Sequence, residues 1–251
     1  MSNGVAPQPD VLCMARGIGS AAFQISCGGE IPAMNGGVAE REAFQQFYDV
    51  QPDVMARLER YAALLIEWQR AKNLVSGSTL DGLWKRHISD CYQLLQYAPV
   101  NAHWLDIGSG AGLPGAVVLL GRPLSGQELP VGSVTMIEAN GRKCAFLRAV
   151  SRETARPAII INNRIESVPI SHLPHVPDII TARALAPLPK LCDLMAPLMG
   201  PKTCALVHKG QDFASEIEKA SKYWDFDVIQ HQSQLDESSV ILAISNLQIR
   251  R

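Results

Sequence analysis

Beyond residue 100, short apolar runs alternate with segments of helical period, and this alternation restricts the chain to a sheet of mainly parallel strands joined by crossover helices. The runs fall at 103–107, 133–137, 158–161, 178–181 and 203–208. Two more, 226–231 and 239–245, flank the polar segment Q-S-Q-L-D-E-S and read as an antiparallel pair that completes the sheet. A simple dinucleotide-binding sheet continues with parallel strands instead. The expected architecture is therefore α/β, a doubly wound, Rossmann-like sheet over residues 100–251 with a terminal antiparallel hairpin.

Residues 41–99 carry a different period. Val54, Leu58, Tyr61, Leu65 and Trp68 recur at spacings of four and three, which sets them on one side of a helix. A second helix is predicted to begin near Leu80, with Trp84, Ile88, Cys91 and Leu95 on one stripe and Lys85, Arg86 and His87 near its start, and Pro99 ends it. The two stripes are expected to pack on the sheet domain as a helical N-terminal addition. Residues 1–40 are rich in Gly, Ala, Ser and Pro without a sustained period, so a disordered leader is expected, and Met34 is a candidate for the true start. A chain of 251 residues, 47% of them hydrophobic, supports one sizeable core plus an appendage.

Chemistry concentrates after the first strand. The run W-L-D-I-G-S-G-A-G-L-P-G places Gly108, Gly110 and Gly112 between an apolar strand and the helix-like G-A-V-V-L-L. Glycine there accepts positive φ and lets a ligand approach bare backbone. Asp106, two residues earlier, stands at the strand's carboxyl end, where open α/β sheets bind ligands, and could hold a polar group of one. Glu138 ends the next strand, V-T-M-I-E, where an acid can accept hydrogen bonds from both hydroxyls of a ribose. Loop and acid together indicate a nucleotide-like ligand and leave S-adenosylmethionine and NAD both open. The segment from Gly121 to Gly132 has too many helix and strand breakers to be anything but a loop.

A longer series of motifs is more specific. W-L-D-I-G-S-G-A-G-L-P-G, M-I-E-A-N-G-R-K-C-A-F-L-R, N-R-I-E, T-A-R-A-L-A-P-L and H-K-G-Q occur in this order, preceded by N-L-V-S and K-R-H-I-S-D. Across about residues 55–245 the series resembles the bacterial small-subunit (16S) ribosomal RNA guanine-N7 methyltransferases, the glucose-inhibited division protein B family. The resemblance implies a class I methyltransferase sheet, S-adenosyl-L-methionine as methyl donor, and a guanine N7 in 16S ribosomal RNA, or in the small ribosomal subunit, as acceptor. It implies that Gly108 and Leu113 contact the donor, that Glu138 stands where the family usually has Asp for the ribose, that Ile165 and Glu166 lie beside the adenine, and that Arg183 belongs to the donor site. Departures are modest: Ser109 replaces the usual Thr, Glu138 is one methylene longer than Asp, and the loop between Gly121 and Gly132 is extended.

Guanine N7 keeps an unprotonated in-plane lone pair at neutral pH, so attack on a sulfonium methyl requires no general base, and no catalytic base is assigned. Net charge is −1, so RNA must meet a local patch. Candidates are Lys85, Arg86 and His87 on the second helix, Arg142, Lys143 and Arg148 after Glu138, and Lys209 at the end of the fifth strand, the last being favoured. His172 and His175 lie in a proline-rich loop without further residues at ligand spacing, and no metal is expected. Cys13, Cys27, Cys91, Cys144, Cys192 and Cys204 are scattered and read as reduced thiols of a cytoplasmic protein. No run approaches the length of a membrane span, so no membrane partner is expected, and a monomer is. Two rivals to a methyltransferase stand beside it. An NAD-dependent oxidoreductase would need a proton donor at a later strand end, for which only His208 offers itself, and a non-catalytic S-adenosylmethionine-binding module would keep Gly108 and Glu138 yet transfer nothing.

Overall fold

The computed structural model describes residues 37–72, 82–122 and 132–251, the side chains of 70–72 excepted. Seven strands form one sheet: β1 (Trp104–Ile107), β2 (Val134–Ile137), β3 (Ile159–Ile161), β4 (Ile179–Ala182), β5 (Cys204–Lys209), β6 (Trp224–Gln232) and β7 (Val240–Ile249). Their spatial order is β3-β2-β1-β4-β5-β7-β6. The first five run parallel and β7 inserts antiparallel between β5 and β6. Each predicted strand is found, displaced by a few residues at most, and the terminal hairpin is present. The strand order reverses between β1 and β4, which opens a crevice at their carboxyl ends.

Successive strand side chains point to opposite faces, and two cores result. Trp104, Val134, Met136 and Leu206 enter the core beneath α2 (Pro52–Lys72), α4 (Gly115–Gly121) and α5 (Gly141–Glu153). Leu105, Ile107, Ile137 and Val207 enter the other, beneath α6 (Leu188–Met195) and α7 (Phe213–Ala220). Such parallel strands are covered on both faces, and every residue of β1, β2 and β4 is buried, Asp106, Thr135 and Thr181 included.

The helical addition packs on the face of α4 and α5. It starts with α1 (Gly37–Phe47), inside the segment expected to be leader, and the rest of that leader, residues 1–36, lies outside the described residues. Val54, Leu58, Tyr61 and Leu65 of α2 are buried as their spacing predicts. The second predicted helix is less regular than its stripe suggests. Gly82 at φ 71° precedes a π-helical stretch, Leu83–Ile88, which passes into α3 (Ser89–Tyr92) and a 3-10 turn, Gln93–Tyr97. Ser89 Oγ donates to the Trp84 carbonyl at 2.7 Å and stabilises the widened turn. Phe44, Trp84 and Tyr92 close this region with tilted and edge-to-face contacts 5.1 to 5.5 Å between ring centres.

The expected loop between Gly121 and Gly132 falls mainly on 123–131, outside the described residues. Cys91, Cys144 and Cys192 are buried free thiols, whereas Cys13 and Cys27 lie outside the described residues. Among the described residues no helix is long and apolar enough to cross a membrane, and no three His, Cys, Asp or Glu side chains converge as a metal site would require.

Candidate functional site

A cavity of about 500 Å³ opens at the crevice between β1, β2 and β4. That volume is in the range of small-molecule sites. Its floor is the loop after β1, where Gly108, Gly110 and Gly112 take φ of 70°, 57° and 88°. This left-handed backbone explains the glycines, since a Cβ there is strained. Gly108 and Ser109 donate their N–H groups to the Ile137 carbonyl at 2.9 and 3.1 Å, so the loop is laid across the end of β2. Gly108 and Gly110 line the cavity, whereas Gly112 is turned into the protein, where a Cβ would sit 2.5 Å from that of Ala116.

Glu138 also lines the cavity and is only 9% exposed. One carboxylate oxygen accepts from Gly110 N–H at 2.8 Å and the other from Asn140 N–H at 2.7 Å. The extra methylene relative to Asp thus lets the side chain tie the glycine loop to the start of α5. Each oxygen keeps a second acceptor direction. Asn140 caps α5, its side chain accepting from Arg142 and Lys143 N–H. Ile165 and Glu166, from the 3-10 turn after β3, form a further wall with Ile137.

Four residues expected at the donor site do not line the cavity. Asp106 is 1% exposed and points behind the loop, where Oδ2 accepts from Gly115 N–H at 3.0 Å. Its other oxygen is buried without a partner. Burial pushes this carboxyl up to about 7, against the nearby Ser109 hydroxyl, which donates to the Asp106 main-chain carbonyl at 3.0 Å, and the Gly115 hydrogen bond, and with the help of nearby Glu138. Expected to hold a ligand, Asp106 here joins β1 to the first turn of α4. Gly112 and Leu113 pack inward against the core shared with the helical addition. Arg183 follows β4 but turns to that addition, with Nε 3.1 Å from Asp90 Oδ2 and Nη2 bonded to the Arg86 carbonyl and to His87 Nδ1.

The cations expected to meet RNA are also dispersed. Lys209 is 8% exposed, and its ammonium donates to the Ala186 carbonyl at 2.8 Å and to Glu216 at 2.6 Å. Glu216 in turn accepts from Leu188 N–H, so Lys209 and Glu216 together tie the cavity wall at Ala186 to the start of α6. In this arrangement the ammonium is satisfied within the fold, because a buried ammonium takes whatever acceptors its own fold supplies. His87 is tied to Arg183. Burial, with Arg183 and Arg86 beside it, pushes its imidazole down to about 4, and Nδ1 accepts from a guanidinium that can only donate, so the ring is neutral. Arg86, Arg142 and Arg148 are exposed, Lys85 and Lys143 are half-buried, and only Lys143 of these lines the cavity. His208 donates from Nε2 to the Asp90 carbonyl at 2.8 Å, which takes away the oxidoreductase reading's proton donor.

Four lining residues were not singled out in the sequence: Asn163, Arg164 and Leu185, which lie inside the N-R-I-E and T-A-R-A-L-A-P-L motifs, and Lys190, which lies in none of them. Asn163 and Arg164 could have been found by their position beside Ile165, but Lys190 reaches the cavity only because α6 folds back over the end of β4. Ala184, at φ 53°, also stands in this wall, and a left-handed alanine is held only where its surroundings demand it.

Comparison with known proteins follows the same segments. The profile of the GidB family, described as rRNA small subunit methyltransferase G, matches residues 54–240. A protein of Bartonella tribocorum named ribosomal RNA small subunit methyltransferase G is 39% identical over 210 residues, covering 82% of this chain and 96% of its own. Its namesake in Rhizobium meliloti is 42% identical over 204 residues, covering 80% and 93%. Among solved structures the chain is similar to a TehB-like SAM-dependent methyltransferase from Corynebacterium glutamicum, with 16% identity and a TM-score of 0.48, covering 75% of this chain and 99% of the other.

Proposed function

Because the chain belongs to the rRNA small subunit methyltransferase G family, we propose that it transfers a methyl group from S-adenosylmethionine to N7 of a guanine in 16S ribosomal RNA. The observation that carries the reading is the cavity at the carboxyl ends of β1 and β2, floored by the bare backbone of Gly108 and Gly110 and closed by Glu138. A nucleoside-bearing donor fits these residues. Gly108 and Gly110 offer bare main chain to the cavity. Glu138 has acceptor capacity for ribose hydroxyls, and Ile137 with Ile165 offers apolar surface to a purine. Gly110, Glu138, Ile165 and Glu166 are taken as donor contacts with Gly108. Asp106, Gly112 and Leu113 shape the loop from behind, and Arg183 bounds the site from the side of the helical addition.

When bound, the donor supplies an activated methyl on a sulfonium. The chain's contribution is then to align and to exclude water, which supplies on the order of 7–11 kcal/mol when the nucleophile is held in line. N7 carries no proton to remove, and a closed, polar-lined pocket favours the positive charge that moves onto the base. The acceptor backbone is taken to meet Arg142, Lys143 and Arg148 of α5, which projects from the same β2 end as Glu138. We place the protein in the cytoplasm, acting as a monomer.

The test is incubation with methyl-labelled donor and small-subunit RNA, free or as assembled subunits, followed by nucleoside analysis. Label in 7-methylguanosine is expected. Donor binding without transfer to either form of the RNA would make the protein a binding module, and tight NAD binding without donor binding would remove the methyltransferase reading.

A further inference from the structure

The glycine loop that floors the cavity is made of the residues that lose the most backbone freedom on being fixed. Its ends are secured by the sheet itself, through Gly108 and Ser109 on Ile137, Gly110 on Glu138 and Gly115 on Asp106. Its middle is secured from elsewhere. Tyr61 of α2, fully buried, donates its hydroxyl to the Ala111 carbonyl at 2.9 Å. One helical turn earlier, Arg57 donates to the Leu120 carbonyl at 3.2 Å and to the Arg122 carbonyl at 3.3 Å, at the far end of α4. Asp53 Oδ2, 2.8 Å from Arg57 Nη1, orients that guanidinium. The Tyr61 ring also lies 6.2 Å from Phe146 of α5, the helix that follows Glu138.

We propose that Tyr61 is a positioning residue for the methyl donor: from the helical addition it holds the middle of the donor loop, while Arg57 anchors the same helix to the other end of the loop–α4 unit. The inference rests on the donor reading given above. The addition is thus a brace on the donor site, apart from any contact it makes with RNA. Loss of the Tyr61 hydroxyl frees the Ala111 carbonyl and lets the loop sample conformations that the donor must then reorder, so the lost hydrogen bond reappears as lost donor affinity.

Tyr61→Phe in the full-length protein keeps the ring and deletes the bond. Calorimetric donor Kd is expected to rise about 3- to 10-fold, the range one hydrogen bond spans. Donor KM should rise in step, while kcat changes less than twofold and RNA Kd stays unchanged. Arg57→Lys, which keeps the charge but loses the forked contacts to both carbonyls, should shift donor Kd in the same direction by a smaller factor. Trp224→Phe, in the core on the opposite face of the sheet, controls for general loosening and should lower Tm without moving donor Kd. Donor Kd equal to wild type in Tyr61→Phe overturns the proposal, as does an equal rise in Trp224→Phe. Absence of donor binding by the wild-type protein overturns the donor reading itself, which keeps the two failures apart.

Discussion

Asp106 shows how far a single carboxyl can depart from the role its position suggests. It stands at the strand end where ligands are met, yet its side chain faces the backbone of Gly115 and is shut off from water. In the unfolded chain it would titrate near ~3.9, whereas the fold holds it at about 7. The stability it lends is complete below pH ~4 and is lost as the pH rises through about 7, by on the order of 4 kcal/mol at most. Asp106→Asn removes this titration and can still accept from Gly115 N–H. Urea unfolding at pH 5 and pH 8 should show the variant gaining on the wild type at the higher pH, and an unchanged difference would mean that Asp106 is ionised throughout. Lys209 makes the complementary case. Its ammonium serves Ala186 and Glu216, so Lys209→Met should lower stability by about 1–3 kcal/mol and leave the salt dependence of RNA binding as it was. A flatter salt slope in that variant would return Lys209 to the RNA surface.

At the level of the element, the three glycines of the β1–α4 loop are equivalent in sequence and different in place. Gly108 and Gly110 border the cavity, and Gly112 is packed against Ala116 and Leu147. Gly112→Val therefore forces methyl groups into a filled core and should cost stability, about 1–3 kcal/mol from overpacking with strain from positive φ in addition. Gly110 has open space around it, with the nearest atom, the Gly108 carbonyl oxygen, 3.9 Å from a built Cβ, so Gly110→Ala carries the backbone strain alone, about 1 kcal/mol. Glu138→Ala leaves Gly110 and Asn140 N–H without their acceptor and should weaken donor binding by about 1–3 kcal/mol. Thermal unfolding and calorimetry of the three variants separate the roles: Gly112→Val should show chiefly in Tm and Glu138→Ala chiefly in donor Kd. If Gly112→Val kept the wild-type Tm, the packing described for the loop would be wrong.

For the whole molecule the question is where a chain of net charge −1 meets a polyanion. Lys209 and His87 are engaged within the fold, and two less enclosed groups of cations stand out, Lys85 with Arg86 on the helical addition and Arg142, Lys143 and Arg148 along α5. The α5 group stands beside the cavity, with Lys143 in its wall. Neutralising Arg142 and Lys143 together should lower the log–log salt slope of RNA binding by about two units, one per lost phosphate contact. Lys85→Ala with Arg86→Ala should then change it less. The reverse ranking would place the RNA on the helical addition.

What the sequence determined by itself was whatever local pattern dictates. Apolar runs separated by helical periods imposed the doubly wound sheet, the glycine spacing imposed the loop, and the ordered motifs pointed to the family, because strands, turns and close backbone approach each depend on residues near in the chain. Gly108, Gly110 and Glu138 were legible for that reason, Ile165 and Glu166 through the family resemblance, and all five line one cavity. Tertiary structure alone decided which way each polar group faces. Asp106, Lys209 and Arg183 share strand-end positions with true lining residues, but the partners that claim them, Gly115, Glu216 and Asp90, come from other elements. Lys190 and Tyr61 enter the description by the same route, one through the packing of α6 over β4 and the other across fifty positions from its acceptor. A buried polar group must be satisfied by whatever the fold brings within reach, and that neighbourhood is set by long-range packing, which no local pattern encodes.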